Sequence, residues 1–453
     1  MFVYMKNETM TPTRQLTHFI SSSRWEALPS HVQHESVRAF INWLGCAYGG
    51  AKHPAVDGVL NALQDLSVGG PCKVIGRKQH LDPLNAALVN GLSVSVHAFD
   101  DAHLATVAHP GAPTIAALLA HASQFPTTGS DFLQALIISY EIQCRLSCAL
   151  TVAPAACDVG WYMTGVTGAV GVAAGVGKLM GLSEQQLAWA MGMGAMQASG
   201  LRASHGTMAC AFIPADAGRN GLLAARLAAN NFTCHEDALT TVHGLLPMLG
   251  YPANPDALTD DLGQRYECLN VSLKPFPSGC LTHAVIDACL TLVRVHVFAV
   301  AEIARIELEV NDLSLSITGR KTPLHTYDAQ ASIFHWAAAV LYHRRAGLYE
   351  AGDSCVHDPA IIDLRDRVTA KVGSELKADE ARVAVTLLDG RRLTAEAMPC
   401  IGSVERPMSD KMLQEKFLSQ AAAAIGSDRA AQVARMCWFL NEAKDVAAVM
   451  SDF

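Results

Sequence analysis

Charge is what this sequence has least of. Only 17% of its 453 residues are acidic or basic, and the formal net charge is −8. A nucleic-acid partner needs a clustered basic face, and none is visible, so the composition argues against a phosphate backbone as ligand. Any anionic substrate must therefore be met by a local group of cations. No G-x-G-x-x-G follows a strand, no P-loop occurs, and H-E-x-x-H and G-x-S-x-G are missing. Dinucleotide, zinc-protease and serine-hydrolase chemistries thereby lose their usual signatures. The 13 cysteines are odd in number and contain no C-x-x-C. They read as small buried hydrophobes in a reducing compartment rather than as a disulfide framework or a metal cluster.

Long apolar runs suited to lipid are scarce as well. "GWYMTGVTGAVGVAAGVG" spans 18 residues, Gly160 to Gly177, without a charge, but six of them are glycine. Such a segment suits a buried helix whose small residues let neighbouring backbones approach closely, not a membrane span. The N-terminal "MFVYMKNETMTPTRQLTHFI" is interrupted throughout by polar residues, so neither a secretory signal nor a transit peptide is expected, and the cytoplasm is the default location.

What is present is apolar material for a large core. Half the residues are hydrophobic, and a chain of this length supports two or three domains. From about residue 11 to 240 the pattern is one of successive helices. Ser130 is expected to cap one of them, ahead of Phe132, Leu133, Leu136, Ile137 and Tyr140, and Ser183 with Gln186 forms a capping-box pattern ahead of Leu187. Alternation begins in "IARIELEV", and "VAVTLLDGRRLTAEA" carries an Asp389-Gly390 hairpin signal. "DAQASIFHWAAAVLYHRRAG" reads as a helix between them. The tail is helical again, with Ser409 as a cap. The expected fold is mainly α: a large helical domain formed by both chain ends, residues 1–270 and 405–453, with a smaller α+β lid inserted at 271–404. A cleft between two such units is a favoured ligand site.

Three segments concentrate polar groups. "HAFDDAHLATVAHPG" holds His97, Asp100, Asp101, His103 and His109, which could supply an acid or base at a helix N-terminus or simply cap that helix. "SLKPFPSGCLTHAVIDACL" places Lys274 before two prolines, with His283 and Asp287 at i,i+4 spacing on the following helix; solvated surface positions would look the same. "QASGLRASHGTMACAFIPADAGRNGLLAARLAANNFT" reads as two helices joined by a loop that carries His205, Cys210 and Asp216. No neighbouring residue lowers the pKa of Cys210, so a buried structural thiol is the expectation.

In this order, these segments resemble the MmgE/PrpD family, which includes 2-methylcitrate dehydratases, cis-aconitate decarboxylases and iminodisuccinate epimerases. The resemblance also covers "NAALVNG", "GAVGVAAGVGKLMGLSEQQLAWAMGMG" and, near the end, "GSVERPMSDKMLQEKF". It implies the architecture just described, a homodimer with active sites between the domains, no organic cofactor, and small di- or tricarboxylate substrates; the lack of any metal-ligand spacing separately leads us to expect no metal. His109 and Lys274 match the family's active-site His and Lys. Asp100, Tyr162, Arg202, His205, Cys210, Ser278 and His283 would line the substrate pocket. Elsewhere the pattern is exchanged: Ala98 stands where the family usually has Asp, Tyr162 where it has His, Cys210 where it has Lys and Ile213 where it has His. Three functions follow as alternatives: a lyase eliminating water or carbon dioxide, an isomerase or epimerase using the same cleft, and a non-catalytic carboxylate-binding homologue.

Overall fold

The structure, a computed structural model, describes residues 10–451. Residues 1–9 and 452–453, which include part of the segment read for a leader, lie outside the described residues. Helices Ser30–Gly50, Pro83–Ser95, Gly111–Ala122, Gly129–Thr151, Met163–Leu179, Glu184–Ala195 and Met208–Ala229 precede the longer strands, and Asp410–Ile425 and Ser427–Trp438 follow them. The fold is mainly α. The expected capping box is formed by Ser183 and Gln186, and Ser409 accepts a hydrogen bond from the Met412 amide. One cap differs. Thr128, not Ser130, has the extended backbone a cap needs and accepts from the Asp131 amide, so the helix starts earlier.

The glycine-rich stretch is a buried helix, Met163–Leu179. A Cβ added at Gly171 would lie 2.6 Å from the Ser139 carbonyl oxygen, and one at Gly221 would lie 2.6 Å from that of Ala169. Glycine is required here because backbone meets backbone without room for a side chain. Among the described residues no helix is long and apolar enough to cross a membrane.

Among the described residues, eight strands are short or peripheral to this helical mass. β1 (Cys72–Lys73) pairs with β2 (His80–Leu81), and β3 (Asp101–His103) pairs antiparallel with β4 (Val271–Leu273). The remaining four, β5 (Ile303–Val310), β6 (Val368–Val372), β7 (Ala381–Leu387) and β8 (Arg392–Ala397), form one sheet in the order β6-β5-β7-β8. β5 buries Ile306, Leu308 and Val310 as its alternation predicts. Gly390, at φ +86°, turns the chain between β7 and β8. β1, β2 and β3 escape a periodicity reading, since two or three residues cannot display alternation.

One apolar cluster runs from Leu28 to Val446 and unites the early helices with Leu413 and Phe417 of the tail. Another is confined to residues between Phe276 and Cys400. Val271 and Leu273 belong to the first cluster and Phe276 to the second. We therefore propose that the chain leaves the helical unit just after Lys274, a few residues later than the expected boundary, and returns near 405.

Two tests follow. Gly221→Val forces a branched side chain against the Ala169 carbonyl and should lower stability by about 2–3 kcal/mol. Gly58→Ala, in helix Pro54–Leu63 where nothing lies within 4 Å of an added Cβ, should raise it by up to about 1 kcal/mol. Denaturant midpoints decide both.

Buried histidines also set a pH dependence. Burial pushes His121, His283 and His335 down to about 4, about 3 and about 4. As pH falls below 6.5 the unfolded chain binds protons that these folded rings refuse, so stability falls, by up to about 1.4 kcal/mol per pH unit for each ring. Asp101 and Glu141, raised by burial to about 6 and about 7, bind protons earlier in the folded state and offset part of this loss. The melting temperature should drop between pH 7 and pH 5, with net proton uptake on unfolding by calorimetry in two buffers. A rise on acidification would contradict it.

Candidate functional site

The β3–β4 ladder sets Asp101 opposite Leu273, which brings the residue before one strand beside the residue after the other. The Lys274 amide donates to the Asp100 carbonyl at 3.2 Å, and Lys274 Nζ donates to Asp100 Oδ1 at 2.7 Å. Both side chains are buried. Burial by itself would raise the Asp100 carboxyl, but the Lys274 charge, then His109 and the Lys274 hydrogen bond outweigh it and hold the group below the usual range. Burial would likewise lower Lys274, and Asp100 outweighs it, so the ammonium keeps its proton. The sequence left open a solvated Lys274; the ladder encloses it instead.

His109 stands beside this pair, its Nδ1 3.8 Å from Asp100 Oδ2. Its backbone amide donates to Thr164 Oγ1 at 2.8 Å, and Nδ1 lies 2.6 Å from the Asp101 carbonyl oxygen. A carbonyl can only accept, so Nδ1 carries the hydrogen and Nε2 keeps its lone pair. Burial, helped by the Lys274 charge, pushes the ring down to about 4, so it is neutral at physiological pH. The Asp101 carboxyl behind it accepts from Tyr140 Oη at 2.6 Å and from the Gly111 amide at 3.2 Å.

The third segment supplies the facing wall. The Tyr162 ring stacks on His109 at 6.0 Å between centroids and meets His205 edge-on at 5.5 Å. Met208–Ala229 is helical, so Cys210 and Asp216 sit on its first turns rather than in a loop as the sequence suggested; the intervening loop is shorter. Burial pushes the Cys210 thiol up to about 11 even though Lys274 acts the other way, so it is a protonated thiol and not a nucleophile. The Arg202 amide donates to the Gly160 carbonyl at 2.8 Å, while its Nε is buried without an acceptor among the described residues. Ile213 fills space beside two glycines: a Cβ added at Gly165 or Gly200 would lie 2.5 or 2.7 Å from Ile213 Cγ2. Ala98 adopts the left-handed region at φ +49°, a conformation with a small steric cost for a residue with a Cβ.

On the other side of the boundary, Ser278 is fully buried and its hydroxyl accepts from Thr282 Oγ1 at 2.9 Å, which commits it to the turn after the prolines. His283 and Asp287 are both buried, so a helix-surface pair is ruled out. Asp287 instead pairs with Arg406 at 2.7 Å, and the His283 ring packs edge-on against Phe276 with Nε2 lacking a partner among the described residues. Burial first and the Lys274 charge second push His283 down to about 3.

Several contributors escape a sequence reading. Tyr140 comes from a helix interior, where an aromatic reads as core. Tyr327, whose buried hydroxyl has no partner among the described residues, reaches His53 of the helical part at 6.2 Å between ring centroids. Lys416 is enclosed although it lies in a charged helical stretch. The block "KMLQEKF" contains it, but nothing in that block singles it out. Among the described residues His103, Cys148 and Glu267 bring possible metal-ligand atoms within 4.8 Å of one another. Thr106 and Glu267 already engage both nitrogens of His103, and Arg265 pairs with Glu267, so the group reads as a closed hydrogen-bond network supporting β3.

Comparison with known proteins accords with this arrangement. The MmgE/PrpD N-terminal domain matches residues 14–257 and the MmgE/PrpD C-terminal domain residues 276–440. A cis-aconitate decarboxylase-like protein of Aspergillus oryzae is 26% identical over 97% of this chain and 96% of its own length. A cis-aconitate decarboxylase of Aspergillus terreus is 24% identical over 97% of this chain and 95% of that protein. One from Homo sapiens is 26% identical over 82% of this chain and 79% of its own. With both family domains matched in order across most of its length, the chain belongs to the MmgE/PrpD family.

Proposed function

We propose that this protein is a cofactor-independent lyase, a decarboxylase or dehydratase, that acts on a small di- or tricarboxylate by proton transfer next to a carboxylate. The observation that carries the reading is the neutral His109, with Nε2 left free by the Asp101 carbonyl, beside the buried Lys274–Asp100 pair. The relatives named cis-aconitate decarboxylase support the reaction class. The homodimer that the resemblance implies, and the cytoplasm as default location, belong to the same reading.

In dehydration, His109 Nε2 takes the proton next to a carboxylate, the electron pair forms the double bond, and hydroxide leaves with a proton from a pocket acid. In decarboxylation the C–C bond to a carboxylate breaks, carbon dioxide leaves, and the carbon that keeps the electron pair takes a proton from a pocket acid, a role open to the Tyr162 phenol. Either path builds negative charge that a nearby ammonium stabilises. One Lys274 hydrogen is used by Asp100, and two remain for a substrate carboxylate. Because Asp100 holds Lys274 firmly protonated, it suits the role of anchor better than that of proton donor. Tyr162, raised well above its ordinary value by burial, is a donor rather than a base. An epimerase exchanging protons between two bases therefore has less support in this pocket. Arg202, with its uncommitted Nε, offers a further cation for a substrate with more than one carboxylate.

Incubation in deuterium oxide with cis-aconitate, 2-methylcitrate and a panel of related acids, followed by NMR, separates the alternatives. Loss of carbon dioxide or water supports a lyase. Deuterium entering recovered substrate without elimination supports the isomerase. Saturable binding without turnover supports the non-catalytic homologue. If the lyase reading holds, His109→Ala should lower kcat by about 10²–10⁴-fold. Lys274→Ala should raise KM and lower kcat together, and should cost about 3–5 kcal/mol of stability by stranding Asp100. Wild-type kinetics in both variants would refute the assignment.

A further inference from the structure

The function proposed above makes no use of the enclosed Lys416. Its side chain leaves the C-terminal Asp410–Ile425 helix and ends in a cage of three acceptors from three other parts of the chain. Nζ donates to Asn42 Oδ1 at 2.6 Å, to the Phe99 carbonyl at 2.6 Å and to the Lys274 carbonyl at 2.8 Å. It also lies 4.0 Å from the centroid of the Phe99 ring. All three ammonium hydrogens are thus committed, with no carboxylate in direct contact among the described residues.

The identity of the acceptors gives this cage its meaning. Phe99 immediately precedes Asp100, and Lys274 is the other half of the ion pair. The front of the pair is closed by the Lys274 amide and Nζ bonds to Asp100; the back is closed by Lys416, which grips the backbone at both ends. We propose that Lys416 is a positioning residue that sets the spacing and charge of the Lys274–Asp100 pair from behind, an inference that rests on the lyase reading for its kinetic consequence. Only an ammonium on a long stem supplies three donors to one buried point. Two buried carboxylates, Asp100 and Asp101, also face two buried ammoniums, so Lys416 balances the charge that Lys274 alone would leave uncompensated. The same contact ties the C-terminal return of the chain, through its "KMLQEKF" block, to the site.

The test compares Lys416→Met, which has neither charge nor donors, with Lys416→Arg and with Asn42→Leu, which removes one acceptor and leaves Lys416 in place. On whichever acid the wild type turns over, Lys416→Met should lower kcat at least 10-fold while KM changes less than threefold. Arg should recover part of that loss, and Asn42→Leu should give a smaller loss of about threefold. Hydrogen exchange at residues 271–276 should quicken at least 10-fold in Lys416→Met at a temperature where it remains fully folded. If Lys416→Met does not fold, Asn42→Leu and Lys416→Arg carry the same comparison. A folded Lys416→Met with wild-type kcat would overturn the proposal, as would unchanged exchange at 271–276. If the wild type turns over no acid, the lyase reading fails and the exchange measurement alone decides the positioning role.

Discussion

A full positive and a full negative charge, Lys274 and Asp100, are taken out of water side by side, and much of the surrounding architecture is explained by the need to keep them together. Each ion alone would lose several kcal/mol of hydration, and only short, well-aimed contacts return that cost. The β3–β4 ladder provides the alignment, because its antiparallel register leaves the two residues adjacent just beyond the strand ends. A three-residue pairing is weak by itself. It is held from the rear by Lys416 and from the side by the Tyr140–Asp101–Gly111 contacts, so the site rests on a closed set of polar groups rather than on a single bond.

The same enclosure decides the chemistry of the neighbours. A low-dielectric setting beside a fixed ammonium keeps His109 neutral, while the Asp101 carbonyl chooses its tautomer. It keeps the thiol of Cys210 and the phenol of Tyr162 protonated as well. Side chains that would be nucleophiles or bases in water thereby become neutral walls or proton donors. By the resemblance, Ala98, Tyr162, Cys210 and Ile213 depart from the family's usual charge pattern, yet a neutral imidazole still stands next to an anchored cation. That combination suits the carboxylate anchor proposed for Lys274, with Arg202 as the further cation of the same proposal.

Rigidity around the site comes from small residues. Glycines of the Met163–Leu179 and Met208–Ala229 helices bring backbones into direct contact, and Thr164, which receives the His109 amide, lies on the first of these helices. Large side chains there would separate the helices and move Thr164 relative to Asp101. The apolar, glycine-rich composition that at first resembles a membrane segment is the means by which a polar pocket is held still inside a helical core.

Local pattern by itself determined the helical class, the capping box at Ser183, the β5 alternation, the β7–β8 turn and the helicity of the tail, because these depend on neighbours within a turn or two. The ordered blocks, compared with a known family, selected His109 and Lys274. Tertiary structure alone decided that Lys274 is buried, that Asp100 is its partner, that Cys210 lies on a helix and that His283 and Asp287 face inward to different partners. Lys416 was invisible as a site residue because a lysine in a charged helical stretch reads as solvated, and the acceptors that enclose it lie 142, 317 and 374 positions away. Local pattern records which face of an element is apolar. Which distant backbone carbonyl meets a given ammonium is settled only when the elements pack, since no local preference encodes a contact between segments that far apart.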